Sequence, residues 1–128
     1  MVEMAIILPL FVILAMGLME FGRAFLVDHA MATAAREGAR LAVVTRDLAS
    51  NQNDVIARIC GELESANVAC NNVAITITPA AQRGDPVTVR LQHNLAFITG
   101  AAVNMIGLPG TLALDKTCTM RDEVSPRT

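Results

Sequence analysis

The sequence predicts an α+β fold in which a long N-terminal hydrophobic helix, over about residues 3–46, precedes a small head. All sixteen residues from Met4 to Met19 are apolar, counting Pro9 and Gly17. Later segments alternate apolar and polar residues, the two-residue period of half-buried strands. We therefore expect the head to contain one helix and an antiparallel sheet of about three strands.

The composition limits the functions open to this chain. Its 128 residues suit one domain, here divided into a helix at 1–46 and a head at 47–128. A net charge of −2, with no Trp or Tyr, argues against a nucleic-acid partner, which would need basic patches or aromatic platforms. No Ser-His-Asp pattern, glycine-rich phosphate loop or pair of catalytic carboxylates occurs. We expect neither an enzyme nor a cofactor.

The apolar run needs a covering that this short chain cannot supply. A helix that is apolar on every face is normally buried in a large protein or in lipid. With Phe21 and Gly22 the run approaches the roughly 20 residues that span a bilayer core. A secretory signal peptide fits poorly, because no basic residue precedes the run and no small-residue cleavage site closely follows it. The covering is therefore lipid or other copies of the chain.

The distribution of cations bears on topology. All ten Lys and Arg residues follow the run, the first being Arg23. The positive-inside rule would then place the head in the cytoplasm. The rule gives the opposite orientation, with the head outside the cytoplasm, if a short basic leader once preceded Met1 and has been removed. We expect such processing, with the head outside the cytoplasm.

The first helix is expected to continue past the apolar run. Residues 23–46 are rich in alanine, contain no proline and keep apolar residues at helical spacings. Pro9 removes one backbone hydrogen bond and favours a kink. Gly17 and Gly22 are small positions at which a neighbouring helix can approach closely.

The head is expected to begin with a second helix from Val55 to about Ser65, capped by Asp54. The segment 94–110 is apolar and punctuated by glycine, so it is expected to be irregular. The strands are expected at Val73–Thr78 and Val87–Gln92, which form a hairpin around the turn at 83–86, and at Thr111 to about Arg121.

Five motifs in this order resemble the TadE-like family of tight-adherence (Tad) pilus proteins, which are pseudopilins related to type IV pilins. They are VEMAIILPLF (2–11), EFGRAF (20–25), AAREGAR (34–40), GDPVTV (84–89) and TMRDE (119–123). The resemblance implies a pilin-like fold. It also implies that a prepilin peptidase removes the leader, and that the protein passes from the bacterial inner membrane to a pilus or its assembly base. One departure is that type IV pilins carry their helix-start glutamate at the fifth mature position, whereas here it is Glu3.

The resemblance implies two roles. The first is a structural subunit of a Tad or type IV-like filament, whose partners are other copies of itself and the pilus assembly machinery. The alternative is an accessory pseudopilin that stays anchored in the inner membrane and supports assembly. The assembly contacts expected for the first role are Met1, Glu3, Pro9, Gly17, Glu20, Gly22 and Arg23.

Several charged residues have two interpretations. Glu3 either pairs with the N-terminal amine of a neighbouring copy or lies in interfacial water. Glu20 and Arg23 are three residues apart and can pair on one helix, or they simply mark the exit from the membrane. Arg36, Glu37 and Arg40 either form a solvated face, on which Glu37 pairs with an arginine, or fix the helix against the head.

The chain has three cysteines, which allow three single disulfides. Export to an oxidising compartment favours a disulfide. Cys60 ends the second helix and Cys70 precedes the first strand, so we expect their bridge to clamp this connection. Cys118 is expected to lie in the core as a small apolar residue. His29 and His93 are distant from the cysteines in sequence, so no metal site is expected.

Overall fold

The structure, a computed structural model, describes residues 2–45, 48–80, 84–105, 107 and 109–121. The chain has an α+β fold with one long N-terminal helix, as predicted. The elements in order are α1 (Val2–Val44), α2 (Leu48–Ser65), a 3₁₀ turn (Cys70–Asn72), β1 (Val73–Thr78), β2 (Pro86–Ala96), α3 (Gly100–Met105) and β3 (Thr111–Arg121).

The three strands form one antiparallel sheet in the order β1-β2-β3. Val73 lies opposite His93, and Val89 lies between Ile77 on β1 and Cys118 on β3. Because side chains alternate along a strand, one face of the sheet carries the apolar residues. The register confirms the hairpin and the third strand, while Arg83 of the expected turn lies outside the described residues.

The core lies between the second half of α1, α2 and the apolar face of the sheet. Here α1 contributes mainly alanines, together with Val27 and Met31. Small side chains let the helices approach closely. A Cβ built on Gly38 would lie 2.5 Å from Cδ1 of Ile59 and 3.7 Å from Val89. Gly38 is thus the point where α1 meets both α2 and the sheet.

Parts of the head differ from the sequence prediction. The second helix begins at Leu48, before Asp54, and contains a non-helical residue, Asn51, with φ −109° and ψ 17°. Strand β2 continues beyond Gln92 to Ala96 because its pairing with β3 continues to Thr111. The segment expected to be irregular contains the short helix α3.

Candidate assembly surface

The first half of α1 is a bare apolar rod, which we define as residues 3–19. Its large apolar side chains, from Met4 to Met19, have exposed fractions between 44% and 72%. The helix is long and apolar enough to cross a membrane, and only 6% of its most hydrophobic stretch is buried. A core helix of a soluble protein would be mostly covered by its own chain. This surface must therefore be covered by something outside the single copy.

The predicted assembly residues on the rod are exposed. Glu3 lies in the first turn of α1 and Pro9 lies inside the helix. A Cβ built on Gly17, or on Gly22 just beyond the rod, would meet no atom within 4 Å. Met1 lies outside the described residues. The described residues leave room for a neighbouring helix at both glycines.

Glu20 is placed differently from either sequence interpretation. It is 7% exposed, and its Oε1 accepts hydrogen bonds from the backbone N–H of Thr99 at 2.9 Å and from the Thr99 hydroxyl at 3.4 Å. Arg23 does not pair with Glu20 among the described residues, and instead donates from Nη1 to the carbonyl oxygen of Ala96 at 3.4 Å. These two residues tie α1 to the segment that follows β2.

The other oxygen of Glu20 lacks a partner. Among the described residues, Glu20 Oε2 is the one buried side-chain oxygen or nitrogen without a hydrogen bond. An unpaired buried carboxylate oxygen is costly, because the water that it loses is not replaced. Glu20 lines a groove of about 420 Å³ between α1 and the end of the sheet. The remaining lining residues are Gly17, Phe21, Ala24, Phe25, Asp28, Phe97, Thr99, Leu112 and Leu114.

Two ion pairs hold the second half of α1 to the head. Asp28 accepts from Lys116 on β3, with an oxygen-to-nitrogen distance of 2.9 Å. Glu37 lies 3.5 Å from the Arg58 guanidinium on α2, and Arg58 also lies 3.3 Å from Glu62. Glu37 thus bridges α1 and α2 rather than pairing with Arg36 or Arg40 on its own helix. Of the two interpretations given for Glu37, the ion pair with Arg58 agrees with the one in which Glu37 fixes the helix against the head.

The cysteines lie on the head. Cys60 and Cys70 are joined by a disulfide, with their Cα atoms 5.2 Å apart. Cys118 is a free, half-buried thiol that packs against the core. Within the described ranges, no group of three or more His, Cys, Asp or Glu side chains is arranged to hold a metal ion.

The outer face of the sheet is polar. Arg90 Nε donates to both carboxylate oxygens of Asp115, at 3.1 Å and 3.0 Å, and Gln92 donates to Oδ2 at 3.2 Å. The hydrogen bond from Arg90 lowers the pKa of Asp115, and the same bond raises the pKa of Arg90. This pair joins β2 to β3 on the side away from α1.

A continuous helix that is packed in one half and uncovered in the other is compatible with a rod that inserts into a membrane or an assembly. The TadE-like protein family model matches residues 1–40, which include the motifs at 2–11, 20–25 and 34–40. The resemblance to TadE-like Tad pilus proteins is thus confirmed over these residues. No curated protein and no solved structure matches the chain.

Sequence reasoning did not find the partners of Glu20 and Arg23. Thr99 lies 79 residues from Glu20, and Ala96 lies 73 residues from Arg23. No local pattern links positions so far apart. The charged Glu20 that closes an uninterrupted apolar run is the one feature that marked this site in advance.

Proposed function

We propose that this chain is a structural subunit of a Tad or type IV-like pilus filament, in which the rods pack side by side into a hydrophobic core. The bare rod carries the proposal, because its large apolar side chains are exposed around the whole helix. The TadE-like match over residues 1–40 supports a pilus context. The folded heads would form the outer surface of the filament.

The energetics require that the rod be covered. Covering apolar surface contributes about 25 cal/mol per Å² relative to water, whether lipid or protein provides the cover. In the inner membrane, lipid covers the rod, so the assembly machinery must extract each subunit as it enters the filament. A prepilin peptidase would act before that step. Glu3, exposed at the start of α1, would then pair with the amine of a processed neighbour.

The second candidate is an accessory protein that remains anchored in the inner membrane. One observation favours it: α1 is long and apolar enough to cross a membrane without a second copy. In that role the rod contacts lipid permanently, and the head docks to the assembly machinery.

Shearing surface filaments from cells and identifying their bulk protein by mass tests the proposal. The subunit role predicts that this chain is the main component of the sheared fraction. Recovery of the chain from membranes alone would contradict the subunit role and favour the anchored one.

A Glu3→Ala variant separates the two roles further. Removing one partner of a buried ion pair costs about 3–5 kcal/mol, so filament number should fall sharply while membrane insertion persists. Glu64→Ala is the matched control, because Glu64 is an exposed carboxylate on α2, away from the rod. A normal filament count in Glu3→Ala cells would show that Glu3 is not an assembly contact.

A further inference from the structure

The rod is shorter than the bilayer core that would cover it. Residues 3–19 extend about 25 Å along the helix at 1.5 Å per residue. The hydrocarbon core of a bilayer is about 30 Å thick. The shortfall of about 5 Å equals roughly three helical residues, so a lipid layer that begins at Glu3 also covers the helix as far as Gly22.

That layer reaches the level of Glu20, whose carboxylate is enclosed by the head. Glu20 is the only acidic residue between Met4 and Val27. It is 7% exposed, and its Oε1 accepts the backbone N–H of Thr99. A charged group exposed to lipid is costly. The head therefore covers the one carboxylate that lipid would otherwise meet here, and this contact brings the head down to the last turn of the rod.

The end of the head that reaches this level is apolar. It is the connection between β2 and β3, and residues 94–114 contain no charged residue. Within it, Ile98 is 70% exposed, and Met105 at the end of α3 is 89% exposed. The connection between β1 and β2 lies at the opposite end of the antiparallel sheet and is charged at Asp85. The uncharged end of the sheet is thus the end beside the rod.

The apolar surface of α1 also continues past Glu20. Phe21 is 74% exposed and Phe25 is 65% exposed, and Leu112 of β3 lines the same groove. These side chains and those of the connection form an apolar collar, which we define as Phe21, Phe25, Ile98, Met105 and Leu112. Single exposed apolar residues are ordinary, whereas a contiguous apolar patch marks an interaction surface.

We propose that the apolar collar lies in the interface of the bilayer, so that the head binds the membrane surface through its uncharged end. Lipid is the occupant that the observations favour, because the collar continues the rod and lies at the depth that the bilayer must cover. Arg23 adjoins the collar and donates to the Ala96 carbonyl oxygen at 3.4 Å. A long cationic side chain at this position can reach the lipid phosphates.

The inference rests on the membrane-inserted state of the proposed function. That state precedes the filament in the subunit role and persists in the anchored role. The collar would therefore hold the head at the membrane surface in both roles.

Tryptophan fluorescence tests the position of the collar, because the chain contains no Trp or Tyr and gives no background. The full chain carrying Ile98→Trp or Met105→Trp is placed in vesicles of phosphatidylcholine brominated near the headgroups. Each variant should lose about half or more of its fluorescence, as expected for a side chain held about 5–10 Å into the boundary between headgroups and acyl chains. Phe11→Trp, in the middle of the rod, should instead be quenched by bromines near the chain ends. Val44→Trp is the matched control, because Val44 is an equally exposed apolar residue at the other end of α1, and it should keep its fluorescence.

A charge variant tests whether the collar itself holds the head at the bilayer. Ile98→Asp places a carboxylate in the collar and should reduce the quenching of Met105→Trp about twofold or more. Val44→Asp should leave that quenching unchanged. Unchanged quenching in Ile98→Asp would overturn the inference. Thermal unfolding of each variant in detergent should match that of the unmodified chain, because the substituted side chains are exposed.

The outcomes separate this inference from the proposed function. Quenching of Phe11→Trp without quenching at positions 98 and 105 would overturn the collar and leave the inserted rod and the subunit role intact. Absence of quenching at all three positions would overturn both the collar and the inserted state. Shielding of Ile98→Trp from aqueous iodide without quenching by bromines would assign the collar to a second copy and overturn the inference. Recovery of the chain from membranes alone, with the collar quenched, would support the inference and contradict the subunit role.

Discussion

The two halves of α1 share one backbone but meet different surroundings. From Met4 to Met19 the helix carries mainly large apolar side chains, and all of these large side chains are exposed. From Ala24 to Ala42 its buried side chains are mostly alanines, with Met31 fully enclosed. Small residues let a helix approach its own head, whereas bulky ones need a surface that this copy does not supply. Residue size along the helix therefore separates the part of α1 that packs within the copy from the part that the copy leaves uncovered.

Replacing one methionine in each half of α1 should give the largest difference in the free energy of unfolding between the two halves. Met31 is 0% exposed, whereas Met19 is 72% exposed. Met31→Ala should leave a cavity and lower the free energy of unfolding by about 2–5 kcal/mol. Met19→Ala should leave head stability unchanged within about 0.5 kcal/mol. Thermal unfolding of the full chain in detergent, followed by circular dichroism, measures both. Equal losses in the two variants would mean that the rod is also packed within the single copy.

The Cys60–Cys70 bridge should stabilise the packed region by an intermediate amount. It closes a loop with a sequence separation of 10, which corresponds to roughly 2–3 kcal/mol of restricted unfolded-state entropy. Reduction should therefore lower the melting temperature of the head without changing the helicity of the rod. Alkylation of the denatured, unreduced protein followed by peptide mapping should label Cys118 alone. Label on all three cysteines would contradict the bridge.

Alanine substitution of two glycines on α1 should change the free energy of unfolding by less, and in opposite directions at the two positions. Gly38→Ala gains up to about 1 kcal/mol of helix propensity, but its Cβ would overlap Ile59, and overpacking costs about 1–3 kcal/mol. We expect a net loss of about 1 kcal/mol in the free energy of unfolding. Gly22→Ala meets open space and should be neutral or slightly stabilising. Adding Ile59→Val to Gly38→Ala should recover part of the loss, and no recovery would show that the overlap is not its cause.

A substitution on the polar face of the sheet should change the melting temperature least, and the size of this change should depend on pH. The folded pKa of Asp115 lies below its ordinary value because Arg90 hydrogen-bonds to the carboxylate. The contribution of this group is therefore present above the unfolded pKa and is lost as the pH falls through the lowered folded pKa. Asp115→Asn should reduce the melting temperature slightly at neutral pH and have less effect in acid. If the difference in melting temperature between Asp115→Asn and the unmodified chain grew in acid, the stabilising role of the Asp115 carboxylate would be contradicted.

The elements with strong local patterns were predicted well. Strict alternation placed β1 at Val73–Thr78, and β3 begins at the predicted Thr111. The start of α2 was missed because the polar residues from Ser50 to Asn53 carry no apolar periodicity. The burial of Glu20 was missed because it depends on Thr99, which only the tertiary fold brings to the helix. Local chemistry thus predicts elements, while a site made by distant segments requires the fold.

The ion pair between Asp28 and Lys116 has a consequence for the order of folding. One partner lies in the first third of the chain and the other lies on the last strand, so the contact forms only after nearly all residues are available. The hydrogen bond from Thr99 to Glu20 spans 79 residues and imposes the same requirement. Contacts between distant positions slow folding, because a large loop must close before they form. If the rod enters a membrane first, the head would thus remain incompletely folded until β3 is available. The buried alanines of α1 would be exposed during that interval.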